Sequence, residues 1–254
     1  MVDQPTHRAR IEPDWYEAAF GDLYNVIYAH RTVEAAAPEA AFAAHALEMR
    51  ADDCLLDLCC GCGRHLFHLI KTAPRAVGLD FSRELLTQGR ALLGDAALLV
   101  RGDMRALPFR ARFDCLTNFF TSFGYFHAGE ENAAVARGMR EALKPGGRFL
   151  VDHANAADVR TALIPQSTRR QGEYEIVEER WVDEAAQRVN KVMRIAREGR
   201  AVREIHESVR LYGPDELRML LMDAGLAVTD FYGDWSGASF TKSSPRMIVR
   251  GVVA

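Results

Sequence analysis

Apolar positions along the chain change their spacing several times, and each change marks a different kind of element. Near the start, Trp15, Tyr16, Phe20, Leu23, Tyr24 and Ile27 recur three or four residues apart, which places them on one side of a helix that Asp14 can cap. An alanine-rich helical run follows from Val33 to Met49, with Thr32 as its cap. From Cys54 the pattern turns to short apolar runs, each ending in a polar or glycine turn and giving way to helical spacing. Strands are predicted over Cys54–Leu58, Ala76–Asp80, Ala97–Arg101, Phe113–Phe119 and Arg148–Ala154. Helices are predicted over Arg64–Thr72, Arg83–Leu92 and Glu130–Leu143, the last closed by Lys144-Pro145-Gly146-Gly147. Strand alternating with helix predicts an α/β fold in which a parallel sheet carries helices on both faces.

That rhythm breaks between about residues 171 and 212. There Tyr174 and Ile176, then Val189, Met193 and Ile195, then Val202, Ile205, Val209 and Leu211 alternate as successive amphipathic strands, which predicts a small antiparallel insert. A helix is predicted after Gly213, with Pro214 in its first turn, Asp215 and Glu216 at its positive end and Gly225 closing it. Ala227–Phe231 and Met247–Val253 complete the sheet as an antiparallel edge pair. The expected organisation is an N-terminal helical cover over residues 1–50 and a main domain over 51–254, with the insert at about 171–212.

Composition narrows the partners. The 254 residues are 48% hydrophobic and 26% charged, with a net charge of -3, which suits one well-buried core. An acidic balance supplies no positive field for a nucleic-acid backbone or an anionic membrane surface, so a small molecule is the expected partner. The basic run His7-Arg8-Ala9-Arg10 is read as a solvated terminus. The polar first residues and the lack of an apolar run of roughly 18 residues predict a cytoplasmic protein. Five cysteines, four of them crowded together, predict reduced thiols.

Three of those crowded thiols fall in Asp57-Leu58-Cys59-Cys60-Gly61-Cys62-Gly63-Arg64-His65, where a predicted strand gives way to a helix. Three thiols in one tight turn lack the separated pairs that a zinc site uses, and Cys59-Cys60-Gly61-Cys62 is not a C-x-x-C in the usual place before a helix with a low-pKa redox thiol. Glycines at such a junction let backbone N–H groups come close to a ligand beyond the carboxyl end of the strand. Asp80 ends the next strand about twenty residues on, where a carboxylate accepts ribose hydroxyls; capping the following helix is its plainer role, which Ser82 can also fill. A nucleoside ligand is expected, either a nicotinamide dinucleotide or S-adenosylmethionine. The third glycine of the dinucleotide pattern would fall on Leu66, which disfavours the former.

The segment Leu55–His65 resembles motif I of the class I S-adenosylmethionine-dependent methyltransferases, usually hhDhGxGxGxh, with Cys59 where the family has its first glycine. Gly78-Leu79-Asp80-Phe81-Ser82 resembles the second motif, Arg101-Gly102-Asp103-Met104-Arg105-Ala106-Leu107-Pro108-Phe109 the third, and Phe113–Phe126 motif IV of small-molecule members. Leu143–Leu150 is similar to the turn and strand that follow. The resemblance implies a Rossmann-like, doubly wound, mostly parallel seven-stranded sheet, S-adenosyl-L-methionine as cofactor and a small-molecule methyl acceptor.

By the same resemblance, the turn at Cys59, Cys60, Gly61 and Cys62 would hold the methionine part, Asp80 the ribose and Asp103 the adenine amino group. Phe81 and Met104 would cover the faces of the ring, and Asn118 would meet the methionine amino end. Each has a plainer role: Asp103 in a turn, Asn118 in a strand-end hydrogen bond, Phe81 and Met104 in the core. Tyr24, on the aromatic helix, would line the site, and Arg31 would meet the methionine carboxylate or lie solvated. His127 and His153 follow strand ends at the ligand-binding edge and are the expected bases if the acceptor must lose a proton, with a structural role as the alternative. Trp181, Tyr212, Trp235 and Phe240 would shape the acceptor pocket or pack the sheet edge. Two other functions compete: a cofactor-binding module without chemistry, which a cavity plugged by Phe120 or Phe123 would favour, and a nicotinamide-dependent reductase.

Overall fold

A computed structural model describes residues 10–254; His7, Arg8 and Ala9 of the basic run lie outside the described residues. In chain order the strands are β1 (Cys54–Leu58), β2 (Arg75–Asp80), β3 (Leu98–Arg101), β4 (Phe113–Asn118), β5 (Leu143–Ala154), β6 (Gln166–Gln171), β7 (Tyr174–Asp183), β8 (Arg188–Arg197), β9 (Arg200–Arg210), β10 (Leu226–Tyr232) and β11 (Arg246–Val253). Seven of them form one sheet in the order β10-β11-β5-β4-β1-β2-β3. β1 to β5 run parallel, and β11 and β10 close one edge antiparallel, as their apolar runs predict. The chain turns back beside β1 to lay down β4, so the strand order reverses there and a crevice opens at the carboxyl ends of β1 and β4.

Alternation along the strands feeds two cores, one on each face of the sheet. Leu56, Leu58, Phe149, Val151 and Val249 pack into one, and Leu55, Leu150 and Ile248 into the other, all fully buried. The helices Arg83–Leu93, Gly129–Ala142 and Pro214–Asp223 fall where the periodicity puts them, with Gly213 and Pro214 starting the last.

Other elements differ from expectation. The aromatic segment is two single-turn helices, Tyr16–Ala19 and Tyr24–Ile27, because Gly21-Asp22, both poor helix formers, interrupt it. The periodicity still holds for burial, since Trp15, Leu23 and Ile27 are inside. Asp14 caps nothing with its side chain, and its carbonyl accepts from the Glu17 N–H at 2.9 Å. Thr32 does cap: its hydroxyl accepts from the Ala35 N–H at 3.1 Å, starting a short 3-10 turn that leads into the helix Ala37–Ala46. The helix expected over Arg64–Thr72 contracts to Leu66–Leu69. The insert is a four-stranded sheet, β6-β7-β8-β9, that starts before residue 171 and follows an unforeseen helix, Ala156–Ala162. β6 is an edge strand of sequence QSTRRQ, polar on both faces, so no alternation announces it.

A third core joins the start of the chain to this insert. Trp15, Leu23, Ile27 and Tyr28 pack against Ile176, Met193, Ile195 and Ile205, so the N-terminal helices and the insert form one body. Arg188 of β8 fixes that body to the main sheet. Its guanidinium is buried and donates to the carbonyls of Tyr125 at 2.7 Å and Phe126 at 2.9 Å, in the loop after β4.

Candidate active site

The turn after β1 is left-handed at three of five residues: φ is 62° at Cys59, 57° at Gly61 and 78° at Gly63. Cys59 thus keeps a conformation that suits glycine, at a cost of roughly 1–2 kcal/mol for a residue with a Cβ. Backbone bonds hold the turn in place. Cys60 N–H donates to Leu79 O at 3.1 Å and Gly61 N–H to Asp80 Oδ2 at 2.8 Å. The thiols diverge, with Cys59 Sγ 3.4 Å from Met104 Sδ and Cys60 buried against β2. There, a Cβ on Gly78 would come within 2.9 Å of both Cys60 Sγ (2.7 Å) and Leu66 Cδ2 (2.9 Å). The bulk absent from Gly78 therefore makes room for Leu66. Burial pushes the thiols of Cys59 and Cys60 well above their ordinary pKa, which keeps them protonated and poor nucleophiles.

Asp80 closes β2 beneath this turn. One carboxylate oxygen accepts from Gly61 N–H and the other from Ser82 N–H, both at 2.8 Å. A carboxylate offers about four acceptor positions, so both oxygens keep capacity for hydroxyl donors. Burial raises its pKa, against the pull of the Ser82 and Gly61 N–H groups. Ser82, and not Asp80, caps the helix: its hydroxyl accepts from Leu85 N–H at 3.2 Å and donates to Phe20 O at 2.6 Å. That second bond ties the N-terminal cover to the cofactor-side turn.

One cavity brings together Tyr24, Arg31, Cys59, Cys60, Gly61, Cys62, Asp80, Phe81, Asp103 and Met104. Tyr16 stands at its rim, edge-on to Phe81 and Phe126 with ring centres 5.7 and 5.5 Å apart. Asp103 pairs with Arg105 at 2.5 Å, and Arg105 reaches on to Glu131 at 2.6 Å. Burial raises the Asp103 pKa, but bonds from the Arg105 side chain and N–H outweigh it and hold the carboxyl below its ordinary range.

Asn118 stays behind the cavity wall. Its Nδ2 donates to Leu58 O at 2.9 Å, joining the ends of β4 and β1, while its buried Oδ1 has no partner among the described residues. Neither histidine reaches the cavity. His153 is fully buried, with Nδ1 2.8 Å from Ala154 O, and burial pushes its pKa down to about 4. His127 lines a separate cleft with Trp181 and Arg188. His153 stands near the end of β5 with its ring in packing, and His127 lies well beyond the end of β4, just before the helix Gly129–Ala142. Tyr212, Trp235 and Phe240 also pack elsewhere, against Phe123, Phe42 and Phe231.

A second cavity adjoins the first and shares Phe20, Arg31, Phe120 and Tyr125 with it. Trp15, Tyr28, Thr121, Glu207 and Arg246 complete much of its wall. Phe120 stands between the two, its ring 4.7 Å from the Arg31 guanidinium and 5.2 Å from that of Arg64, whereas Phe123 is buried in the core. Phe120 and Thr121 are both left-handed, at φ 56° and 59°. Sequence reading passed over Trp15, Tyr28, Arg64 and Glu207 as site residues. Glu207 follows an alternating strand pattern that reads as solvated, and only the packing of the insert on the N-terminal helices turns it inward.

A family model described as a methyltransferase domain matches residues 55–147. The cypemycin N-terminal methyltransferase of a Streptomyces species is 30% identical over 202 residues, covering 77% of this chain and 81% of that one. The chain belongs to the class I S-adenosylmethionine-dependent methyltransferases. Its cofactor is S-adenosylmethionine, as motif I implied. This methyltransferase is also similar to a dTDP-3-amino-3,4,6-trideoxy-alpha-D-glucopyranose N,N-dimethyltransferase of Streptomyces venezuelae, 36% identical over 139 residues. That match covers 54% of this chain and spans 58% of that protein's length. Among solved structures it resembles Streptomyces venezuelae DesVI, with TM-score 0.65 and 26% identity over 92% of this chain and 98% of that one. It shares the fold of a methyltransferase from Clostridium acetobutylicum, with TM-score 0.78 and 16% identity over 91% of this chain and 96% of that one.

Proposed function

We propose that this methyltransferase moves a methyl group from S-adenosylmethionine to a nitrogen of a small-molecule amine, with the cofactor in the first cavity and the acceptor in the second. The observation that carries the reading is the pair of adjoining cavities with Phe120 as their common wall: one has the motif I turn and Asp80, the other is walled by aromatic rings. The residues suit the cofactor. A Cβ built on Gly61 would meet nothing nearer than Leu85 at 3.8 Å, so the backbone there has open space in front of it. Asp80 keeps acceptor capacity for two ribose hydroxyls.

In this reading the turn at Cys59, Cys60, Gly61 and Cys62 holds the methionine portion, Arg31 and Arg64 its carboxylate, and Asp103 the adenine amino group. Phe81 and Met104 cover the ring, and Tyr24 closes over the cofactor from residues 1–50. The bound cofactor supplies a methyl group on a sulfonium that departs as a neutral thioether. The protein contributes alignment and exclusion of water. A nitrogen acceptor agrees with the two relatives named above, both N-methyltransferases by name. The enzyme acts in the cytoplasm on a soluble acceptor; among the described residues no helix is long and apolar enough to cross a membrane.

The test is incubation with methyl-labelled S-adenosylmethionine and a small-molecule extract of a Streptomyces culture, followed by cation exchange. Label is expected in the cationic fraction. Label confined to protein or nucleic acid, or found nowhere while S-adenosylhomocysteine binds, overturns the reading.

A further inference from the structure

Glu207, on β9, is the only carboxylate among the described residues that line the second cavity. Tyr28 donates its hydroxyl to one Glu207 oxygen, and the Lys191 ammonium lies 2.7 Å from the other and 2.6 Å from the Tyr28 hydroxyl. A buried ion pair adds little net stability over apolar packing, so this triad is poorly explained by folding alone. It leaves Glu207 ionised: burial raises its pKa, but Lys191 and the Tyr28 hydroxyl outweigh that and hold it below its ordinary range.

Two hydrogen-bond positions on the carboxylate remain unspent by these partners. Two other charged groups line the cavity. Arg246 pairs with Asp152 at 2.7 Å, and the Arg31 guanidinium lies over the Tyr28 ring at 4.1 Å. Trp15, 5% exposed, lines the same cavity, and its buried Nε1–H has no partner among the described residues. The wall therefore combines open acceptor positions on Glu207 with the unpartnered Nε1–H of Trp15.

We infer that Glu207 orients the acceptor: it receives a hydrogen bond from an N–H of a primary or secondary amine, while Trp15 Nε1–H meets an oxygen on the same molecule. The inference rests on the amine reading above. Holding one N–H on Glu207 leaves the nitrogen lone pair to face the methyl donor. In each transfer the N–C bond forms as the S–C bond breaks, the sulfonium charge passes to nitrogen, and the product leaves as an ammonium ion. A primary amine can present an N–H to Glu207 twice. After the second transfer the neutral amine has none left, so methylation stops at the dimethylamine and no quaternary ammonium forms.

The experiment uses the full chain with labelled S-adenosylmethionine and the cationic fraction of the same extract, comparing wild type with Glu207→Gln, Glu207→Asp and Trp15→Phe. Wild type should give mono- and dimethylated products only. Glu207→Gln should lower label transfer roughly tenfold or more, as expected for losing a hydrogen bond to a charged group, with S-adenosylhomocysteine affinity unchanged. Glu207→Asp should recover part of that loss, with the remaining defect seen as a raised KM for the acceptor, and serves as the deciding variant if Glu207→Gln fails to bind S-adenosylhomocysteine. Trp15→Phe should raise the acceptor KM alone. Transfer by Glu207→Gln or Glu207→Asp at the wild-type rate and KM, or a trimethylated product, overturns the role of Glu207. Absence of label from the cationic fraction with wild type strikes the amine reading itself.

Discussion

The backbone N–H of Phe120 donates to Asp152 Oδ2 at 2.7 Å, from the end of β4 to the end of the neighbouring β5. The same carboxylate accepts from Arg246 Nε at 2.7 Å, and Arg246 reaches Thr121 Oγ1 at 2.8 Å. Asp152 and Arg246 thereby hold two successive left-handed residues, Phe120 and Thr121, at the wall between the cavities. Asp152→Ala should cost about 3–5 kcal/mol in urea unfolding, because Arg246 is left as an unpaired, largely buried charge. S-adenosylhomocysteine affinity should fall with it. Unchanged stability would remove Asp152 from this role.

The carboxylate of Asp80 is proposed to hold the ribose. Asp80→Ala should weaken S-adenosylhomocysteine binding by roughly tenfold or more, the loss expected when hydrogen bonds to a charged acceptor disappear. Isothermal calorimetry measures this directly, and affinity within twofold of wild type would place the ribose elsewhere.

Cys59 makes a sharper test of backbone over side chain. Relief of its positive φ in Cys59→Gly offsets the extra freedom of the unfolded chain, so stability should stay within about 1 kcal/mol of wild type. Cofactor affinity should be kept. Cys59→Val should destabilise, since a β-branched residue resists that conformation and the site is crowded. Equal melting temperatures for the two variants would contradict the conformational argument.

Arg188 is a buried guanidinium held by oxygens of the insert and of the loop after β4, including Ser208 Oγ at 2.8 Å and Ser208 O at 2.7 Å. Burial, with no carboxylate partner among the described residues, lowers its pKa to about 10. Arg188→Met should cost on the order of 3 kcal/mol by leaving several buried carbonyls without donors. Lysine should rescue little, because it lacks the planar fork. Full stability in Arg188→Met would show the insert to be held by apolar packing alone.

His153 gives a pH signature. Its pKa falls from an ordinary 6.5 to about 4 on folding, first through burial. The unfolded chain therefore binds the extra proton between those values. The contribution is fully present above about pH 6.5 and is lost as pH falls through about 4. His153→Gln should flatten this acid limb in pH-dependent melting while leaving S-adenosylhomocysteine affinity unchanged, and an undiminished slope would assign the proton uptake to another group.

What the sequence determined by itself is the frame: the strand–helix alternation, the tight glycine turn at Cys59 to Gly63, Asp80 at the end of β2, and the family these imply. Such features follow from local pattern, because a buried strand, a glycine turn and a cap each carry their signal within a few residues. Tertiary structure alone decided which side of each strand end the chemistry occupies. His153 and Asn118 sit at the predicted strand ends yet are spent on packing and on a neighbouring carbonyl. Glu207 and Trp15, about 190 residues apart, meet at one cavity only because the third core folds the insert onto the N-terminal helices. Long-range packing of that kind depends on the shapes of distant surfaces, and no window of the sequence contains both of them.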